Sequence, residues 1–73
     1  MKGNSIRSQV KGFINLTVYA SNEPIMVNYS KVFDILSING KTILSFGNDY
    51  QYQVTESVDE VLELINWNQT ILK

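Results

Sequence analysis

The chain has 73 residues, of which 44% are hydrophobic, and its six basic and seven acidic side chains leave a net charge of -1 at pH 7. It has no cysteine and no histidine, which excludes disulfides, thiolate or imidazole metal ligands, cysteine nucleophiles and histidine general bases. The near-neutral net charge also argues against the broad positive surface that nucleic-acid binding usually requires. We expect a soluble cytoplasmic protein with no metal, no cofactor and no membrane span.

The first segment is polar and basic. Lys2, Arg7 and Lys11 all precede the first acidic residue, and few large apolar side chains accompany them. We predict that residues 1–11 form a flexible leader and that residues 12–73 form a single domain. The leader also leaves an alternative function open, that of a small regulatory protein associated with nucleic acid. Three charges release few counterions, so such binding would be weak and sensitive to salt.

Two short strands are predicted next. Apolar and polar residues alternate from residue 13 onwards, which is typical of a half-buried strand. The residues of its apolar face are Ile14, Leu16 and Val18. A turn at 21–24 then leads to a second strand at 25–27, expected to run antiparallel to the first. The polar segment 28–31 has room for one helical turn before the chain continues.

The central feature of the sequence is a hairpin with Asn39 and Gly40 at its corner. Asn-Gly is the commonest two-residue hairpin loop, because both positions of the turn need positive φ. This loop fixes the register and predicts that Ile35 lies opposite Leu44. The predicted core face of the hairpin consists of Phe33, Ile35, Leu44 and Phe46. Since an isolated hairpin is only marginally stable in water, this face needs a cover.

The other face of the hairpin mixes apolar with polar residues, and we interpret it as a contact surface. Tyrosine and tryptophan side chains are also more numerous than one small core can bury, and both are favoured at the centres of interfaces. The candidate interface residues are Val32, Leu36, Ile38, Ile43, Tyr50, Tyr52 and Trp67. For Tyr50 and Tyr52, two alternatives stay open: that they cover a sheet edge or helix flank, and that they stack on bases.

A last strand and a helix complete the predicted domain. Residues 50–54 alternate as a strand, and Ser57 with Glu60 matches the capping box that begins a helix. The acidic residues of the first turns suit the helix dipole, which explains them better than a cation site does. The predicted apolar face of the helix, which would cover the hairpin, consists of Val58, Val61, Leu62 and Ile65. Past Ile65 the helix either frays or continues to the end.

The predicted fold class is therefore α+β, with an antiparallel sheet of four to five short strands and one C-terminal helix packed on one face. No cysteine or histidine is available for catalysis, no glycine-rich phosphate loop is present, and the carboxylates already have a capping role. We therefore expect a small non-enzymatic protein-protein interaction module. With so small a core and no disulfide, self-association as a homo-oligomer, most simply a dimer, is the expected source of further burial.

A resemblance covers roughly residues 13 to 65. In this region the chain resembles the small flagellar FlbD and swarming-motility type proteins. The shared order is the strand Ile-Met-Val-Asn, the hairpin, a glycine before a strand that ends in valine, and then Glu-Ser at an acidic helix start. The matching positions are Gly47, Val54, Glu56, Ser57, Glu60 and Val61. The resemblance implies a short bacterial, phage or mobile-element accessory protein, and it implies no catalytic residue.

Overall fold

The computed structural model describes residues 8–47 and 50–71 and has an α+β fold, which confirms the predicted class. The elements in chain order are β1 (Phe13–Thr17), β2 (Pro24–Asn28), a 3-10 helix (Tyr29–Lys31), β3 (Asp34–Ile38), β4 (Lys41–Ser45), β5 (Gln51–Val54) and α1 (Val58–Ile71). The five strands are divided between sheets of two and three strands, so neither sheet has the four to five strands that were predicted. The predicted turn at 21–24 and the predicted polar segment 28–31 are each one residue shorter than expected, because Pro24 and Asn28 belong to β2, and the helical turn in the second connection is the 3-10 helix.

The strands form two antiparallel sheets and not the single sheet that was predicted. One sheet has the order β1-β2 and the other the order β3-β4-β5. The two sheets meet at an isolated bridge between Val18 and Val54, next to which the Thr55 amide donates to the Thr17 carbonyl at 2.9 Å. This pairing is too short to form a continuous ladder. It places β1 beside β5 and leaves β2 and β3 as the outer strands.

The hairpin prediction is confirmed in both turn and register. Asn39 has a φ of 52° and Gly40 a φ of 78°, which are the two positive values that this two-residue loop needs. Ile35 lies opposite Leu44 in the β3-β4 ladder. Leu44 is buried and Ile35 packs against the core. The loop chemistry therefore selects the face of the hairpin that points inward.

Phe33 was predicted to belong to the core face, and this prediction is wrong. Its side chain is 78% exposed. The ladder of β3 and β4 ends at the pair Asp34 and Ser45, and the Phe33 amide donates to the Ser45 carbonyl at 2.7 Å. Because Phe33 precedes the strand, the alternation of faces along the strand does not extend to its side chain.

The core lies between the sheets and the helix. Its buried apolar residues are Ile14, Leu16, Val27, Leu44, Val54 and Val61. The helix packs mainly on β1, with fewer contacts to β3. The prediction that the helix covers the hairpin is therefore incomplete, because the helix covers β1 as well. Ile14 and Leu16 are inward as predicted. The first strand therefore contributes as much to the core as the hairpin does.

The apolar face of α1 is rotated relative to the prediction. Leu62 was assigned to the buried face but is 50% exposed, whereas Leu64 packs against the core. The buried line runs through Val61, Ile65 and Asn68 at spacings of four and three, as a helix of 3.6 residues per turn requires. A side chain at 62 lies at the margin of this line. Leu64, at the opposite margin, packs against the core instead.

The start of the helix is formed as the capping box predicts. The Glu60 amide donates to Ser57 Oγ at 3.1 Å, and the Ser57 amide donates to Glu60 Oε1 at 2.8 Å. The carbonyl of Ser57 accepts the first helical bond, from Val61, at 2.9 Å. The open question about the other end is also answered, because the helix continues past Ile65 to Ile71.

The segment before the capping box is tied to the first strand by one carboxylate. Glu56 Oε1 accepts from the Thr17 amide at 3.0 Å, and Glu56 Oε2 accepts from the Thr17 hydroxyl at 2.9 Å. Bonds to a charged acceptor are among the stronger ones in proteins. The turn that leads into α1 is therefore held against the end of β1.

A buried asparagine holds the second half of the helix. Asn68 is 1% exposed, and its Oδ1 accepts from the Gly12 amide and from the Tyr29 hydroxyl, both at 2.8 Å. Its Nδ2 donates to the carbonyls of Val10 at 3.1 Å and Phe13 at 2.8 Å. Every bonding position of the amide is used, as a buried polar group requires. One side chain thus connects α1, the start of β1 and the 3-10 helix.

The predicted leader divides into two parts. Residues 1–7 lie outside the described residues. Ser8 is buried, and its hydroxyl accepts from the Val10 amide at 3.1 Å. Together with the bond from Asn68 to Val10, these contacts hold residues 8–10 against the domain.

Candidate functional site: an apolar groove beside an open strand edge

The candidate site begins with the outer edge of β2. The Tyr29 amide donates to the Gly12 carbonyl at 3.1 Å, and the Val18 amide donates to the backbone carbonyl of Glu23 at 2.8 Å. Residues of an antiparallel pair alternate between bonding the partner strand and pointing away from it. With these two bonds at its ends, β2 turns the backbone groups of Ile25 and Val27 toward β1. Those of Met26 and Asn28 point away.

No strand of the described residues pairs with this edge. Pro24, at the start of β2, has no amide hydrogen to offer there, which is characteristic of an edge strand. Met26 therefore presents both a donor and an acceptor. Asn28 presents its amide, because its carbonyl caps the 3-10 helix, and the carbonyl of Pro24 adds another acceptor. An exposed edge of this kind is a template for pairing with another chain.

An open groove of about 360 Å³ lies along the same edge. Its lining residues are Ile25, Met26, Val27, Asn28, Lys31, Phe46 and Tyr52. Met26 is 51% exposed although it lies in the middle of a strand. The groove thus combines free backbone groups on one side with apolar and aromatic side chains on the other.

The aromatic wall of the groove continues into a cluster of three rings. The rings of Phe46 and Tyr52 meet edge to face, with centroids 5.9 Å apart. Tyr50 lies 5.4 Å from Tyr52 and 6.1 Å from Phe46 by the same measure. Such pairs stabilise each other beyond their buried area. The turn at Gly47, with a φ of 77°, returns the chain so that Phe46 and Tyr50 can meet.

The two tyrosines of the cluster also share a hydrogen bond. Their hydroxyl oxygens are 3.0 Å apart. The hydrogen bond with Tyr50 is the largest cause that raises the pKa of the Tyr52 phenol above its ordinary value, followed by the charge of Tyr50 and by burial. The bond is worth most while Tyr52 is neutral. It fixes the orientation of both rings at neutral pH.

The ends of β2 carry opposite charges. Glu23 precedes the strand and Lys31 closes the 3-10 helix that follows it, and both side chains are exposed. Lys31 also lines the groove. The open edge therefore runs from a negative end to a positive end.

Of the four predicted interface residues in and beside the hairpin, three lie on its outer face. Leu36 and Ile43 form a cross-strand pair and are half-buried. Ile38, beside the turn, is about half exposed. Val32 instead packs against the core. The structure thus brings Leu36, Ile38 and Ile43 onto one surface and places Val32 elsewhere.

The aromatic interface candidates lie on other parts of the molecule. Tyr52 pairs with Leu44, so it lies on the inner face of the β3-β4-β5 sheet, opposite to the face that carries Ile43. Tyr50 is 57% exposed beside it. Trp67 is half-buried on α1 next to Asn68. The seven candidates therefore do not form one continuous surface.

Sequence reasoning missed the groove and the role of Asn68. Met26 and Phe46 belong to segments that are far apart in the chain, so no local pattern joins them. Pro24 was a usable signal, because proline at the start of a strand indicates an edge. Asn68 was also visible in principle, since it lies seven residues after Val61 and continues the buried line of the helix.

Among residues 8–47 and 50–71, no three acidic side chains group so as to hold a metal ion. In the same part of the chain, no helix has both the length and the apolar character that crossing a bilayer requires. Of the basic leader, Lys2 and Arg7 lie outside the description, and Lys11 is exposed.

We compared the chain with models of protein families, with curated proteins and with solved structures, and none of them matches it. The resemblance to the flagellar and swarming-motility type proteins therefore stays a prediction.

Proposed function

We propose that this protein is a small non-enzymatic protein-binding module that associates with a second copy of itself. The observation that carries the proposal is the open edge of β2 with its apolar groove. Free backbone groups supply affinity in strand addition, and neighbouring side-chain pockets supply specificity. The β2 edge offers both within a few residues.

Exposed apolar surface gives independent support. Large apolar side chains are about half or more exposed on several elements, and they are Val10, Tyr19, Met26, Phe33, Ile38, Tyr50, Leu62 and Ile71. A domain of this size removes only about 60% of its unfolded surface from water. Association is a direct way to bury more, since the chain has no disulfide to reinforce its core.

Sedimentation equilibrium across micromolar to millimolar concentrations tests this proposal. We expect the mass to rise from that of the 8.3 kDa chain toward twice that value. Because apolar side chains and backbone groups line the β2 edge and charges lie only at its ends, moderate salt should weaken the association only slightly. A mass that stays monomeric across the whole range would contradict the proposal.

A further inference from the structure

We propose that two copies of this chain pair through their β2 edges, antiparallel and around a twofold axis at Met26. This inference rests on the proposed self-association and adds the surface and the register. Three features of β2 support this pairing: its open edge, the missing donor of Pro24 and the opposite charges at its ends. A second copy of the chain presents the same edge and is therefore a partner of complementary chemistry.

The backbone of the edge fits such a register. With Met26 on the axis, Met26 of each copy exchanges its amide and carbonyl bonds with Met26 of the other, since these groups point away from β1. The Asn28 amide then donates to the carbonyl of Pro24 in the second copy. Pro24 needs no acceptor for itself, because it has no amide hydrogen. The donor that the edge lacks is thus at the margin of the pairing and not at its centre.

The charges select the antiparallel arrangement. A twofold axis at Met26 brings the Glu23 end of one strand beside the Lys31 end of the other, twice per dimer. A parallel arrangement would place like charges together. Complementary charge across an interface fixes register and suppresses wrong pairings. The polarity of a single strand is thus complementary to itself only when the strand is reversed.

The side chains near the axis are apolar. Ile25 of one copy lies opposite Val27 of the other in this register, which extends the apolar inner face of the sheet across the axis. Met26 faces its symmetry mate on the opposite side of the sheet. Apolar side chains thus line both faces of the pairing at its centre.

The first test is the substitution Met26→Lys, with Ile38→Lys as the matched control. Both positions are about half exposed in strands, so both variants should fold. M26K places two like charges opposite each other, and we expect the dissociation constant of the dimer to rise about fivefold or more. I38K should leave it unchanged. The double variant L36K/I43K, which charges the outer face of the hairpin, should also remain dimeric.

The second test reverses the charges. E23K and K31E should each weaken the dimer about threefold, because each change acts twice in a twofold assembly. The double variant E23K/K31E should restore the wild-type affinity. Recovery in the double variant is specific to an antiparallel pairing of these two ends.

Covalent trapping completes the test, and the chain suits it because it has no cysteine. The variant Met26→Cys should form a disulfide-linked dimer under mild oxidation, whereas Ile38→Cys should not. If the wild type dimerises but I38C is trapped, or L36K/I43K abolishes the dimer, the β2 register is wrong while the proposed self-association stands. A wild type that never dimerises overturns both.

Discussion

The two halves of α1 are held to the domain in opposite ways. The first half begins with Ser57 and Glu60, three residues apart and exposed to solvent. The second half is fastened by Asn68, which bonds residues more than fifty positions away in a buried site. A local signal thus defines where the helix starts, and a distant one defines where it sits.

This contrast explains which parts of the structure could be predicted. The turn at Asn39 and Gly40 and the cap at Ser57 depend on neighbouring residues, and both were correct. Phe33 and Leu62 were wrong because their burial depends on where a ladder ends and which way a helix rotates. Contacts between residues far apart in the chain decide both the end of the ladder and the rotation of the helix. The groove beside β2 could not be predicted for the same reason, since its two walls come from different sheets.

The largest expected effect is at Asn68. Asn68→Ala leaves the Gly12 amide, the Tyr29 hydroxyl and two carbonyls without their partner, so we expect a loss of about 3 kcal/mol in the free energy of unfolding. Urea denaturation measures it. The control is Asn66→Ala, an exposed position on the same helix, which should change stability by less than about 0.5 kcal/mol. Equal effects at both positions would remove the contrast between the two halves.

A smaller effect is expected at the helix start. Ser57→Ala removes the acceptor of the Glu60 amide at an exposed site, so the free energy of unfolding should fall by about 1 kcal/mol. Ser57→Asp, which restores an acceptor, should recover most of the loss. If S57A destabilised the protein as much as N68A, the local and distant attachments would be equivalent.

The smallest effect on stability concerns the tyrosine pair outside the helix. Tyr50→Phe removes the hydrogen bond that chiefly raises the pKa of Tyr52, so the Tyr52 pKa should fall toward its ordinary value. Titration of the ring resonances by NMR measures it, with Tyr19→Phe as a control that leaves Tyr52 unchanged. A Tyr52 pKa that is the same in Y50F and wild type would show that the bond has no influence.

The pH dependence of stability follows from the same shift. The folded protein holds the Tyr52 proton more tightly than the unfolded chain, because its pKa is raised. The contribution of the pair is therefore fully present below pH of about 10, the ordinary tyrosine pKa. It is lost as the pH rises through the folded value. Y50F should show less of this alkaline loss than the wild type.

The reach of Asn68 also has a consequence for the order in which the chain assembles. The hairpin closes through a loop of two residues, whereas the hydrogen bond between Gly12 and Asn68 joins positions that are 56 residues apart. Closing a longer loop loses more chain entropy before the contacts that it brings together can stabilise the chain. The hairpin can thus form early, and the first and last segments meet only when most of the domain already exists between them.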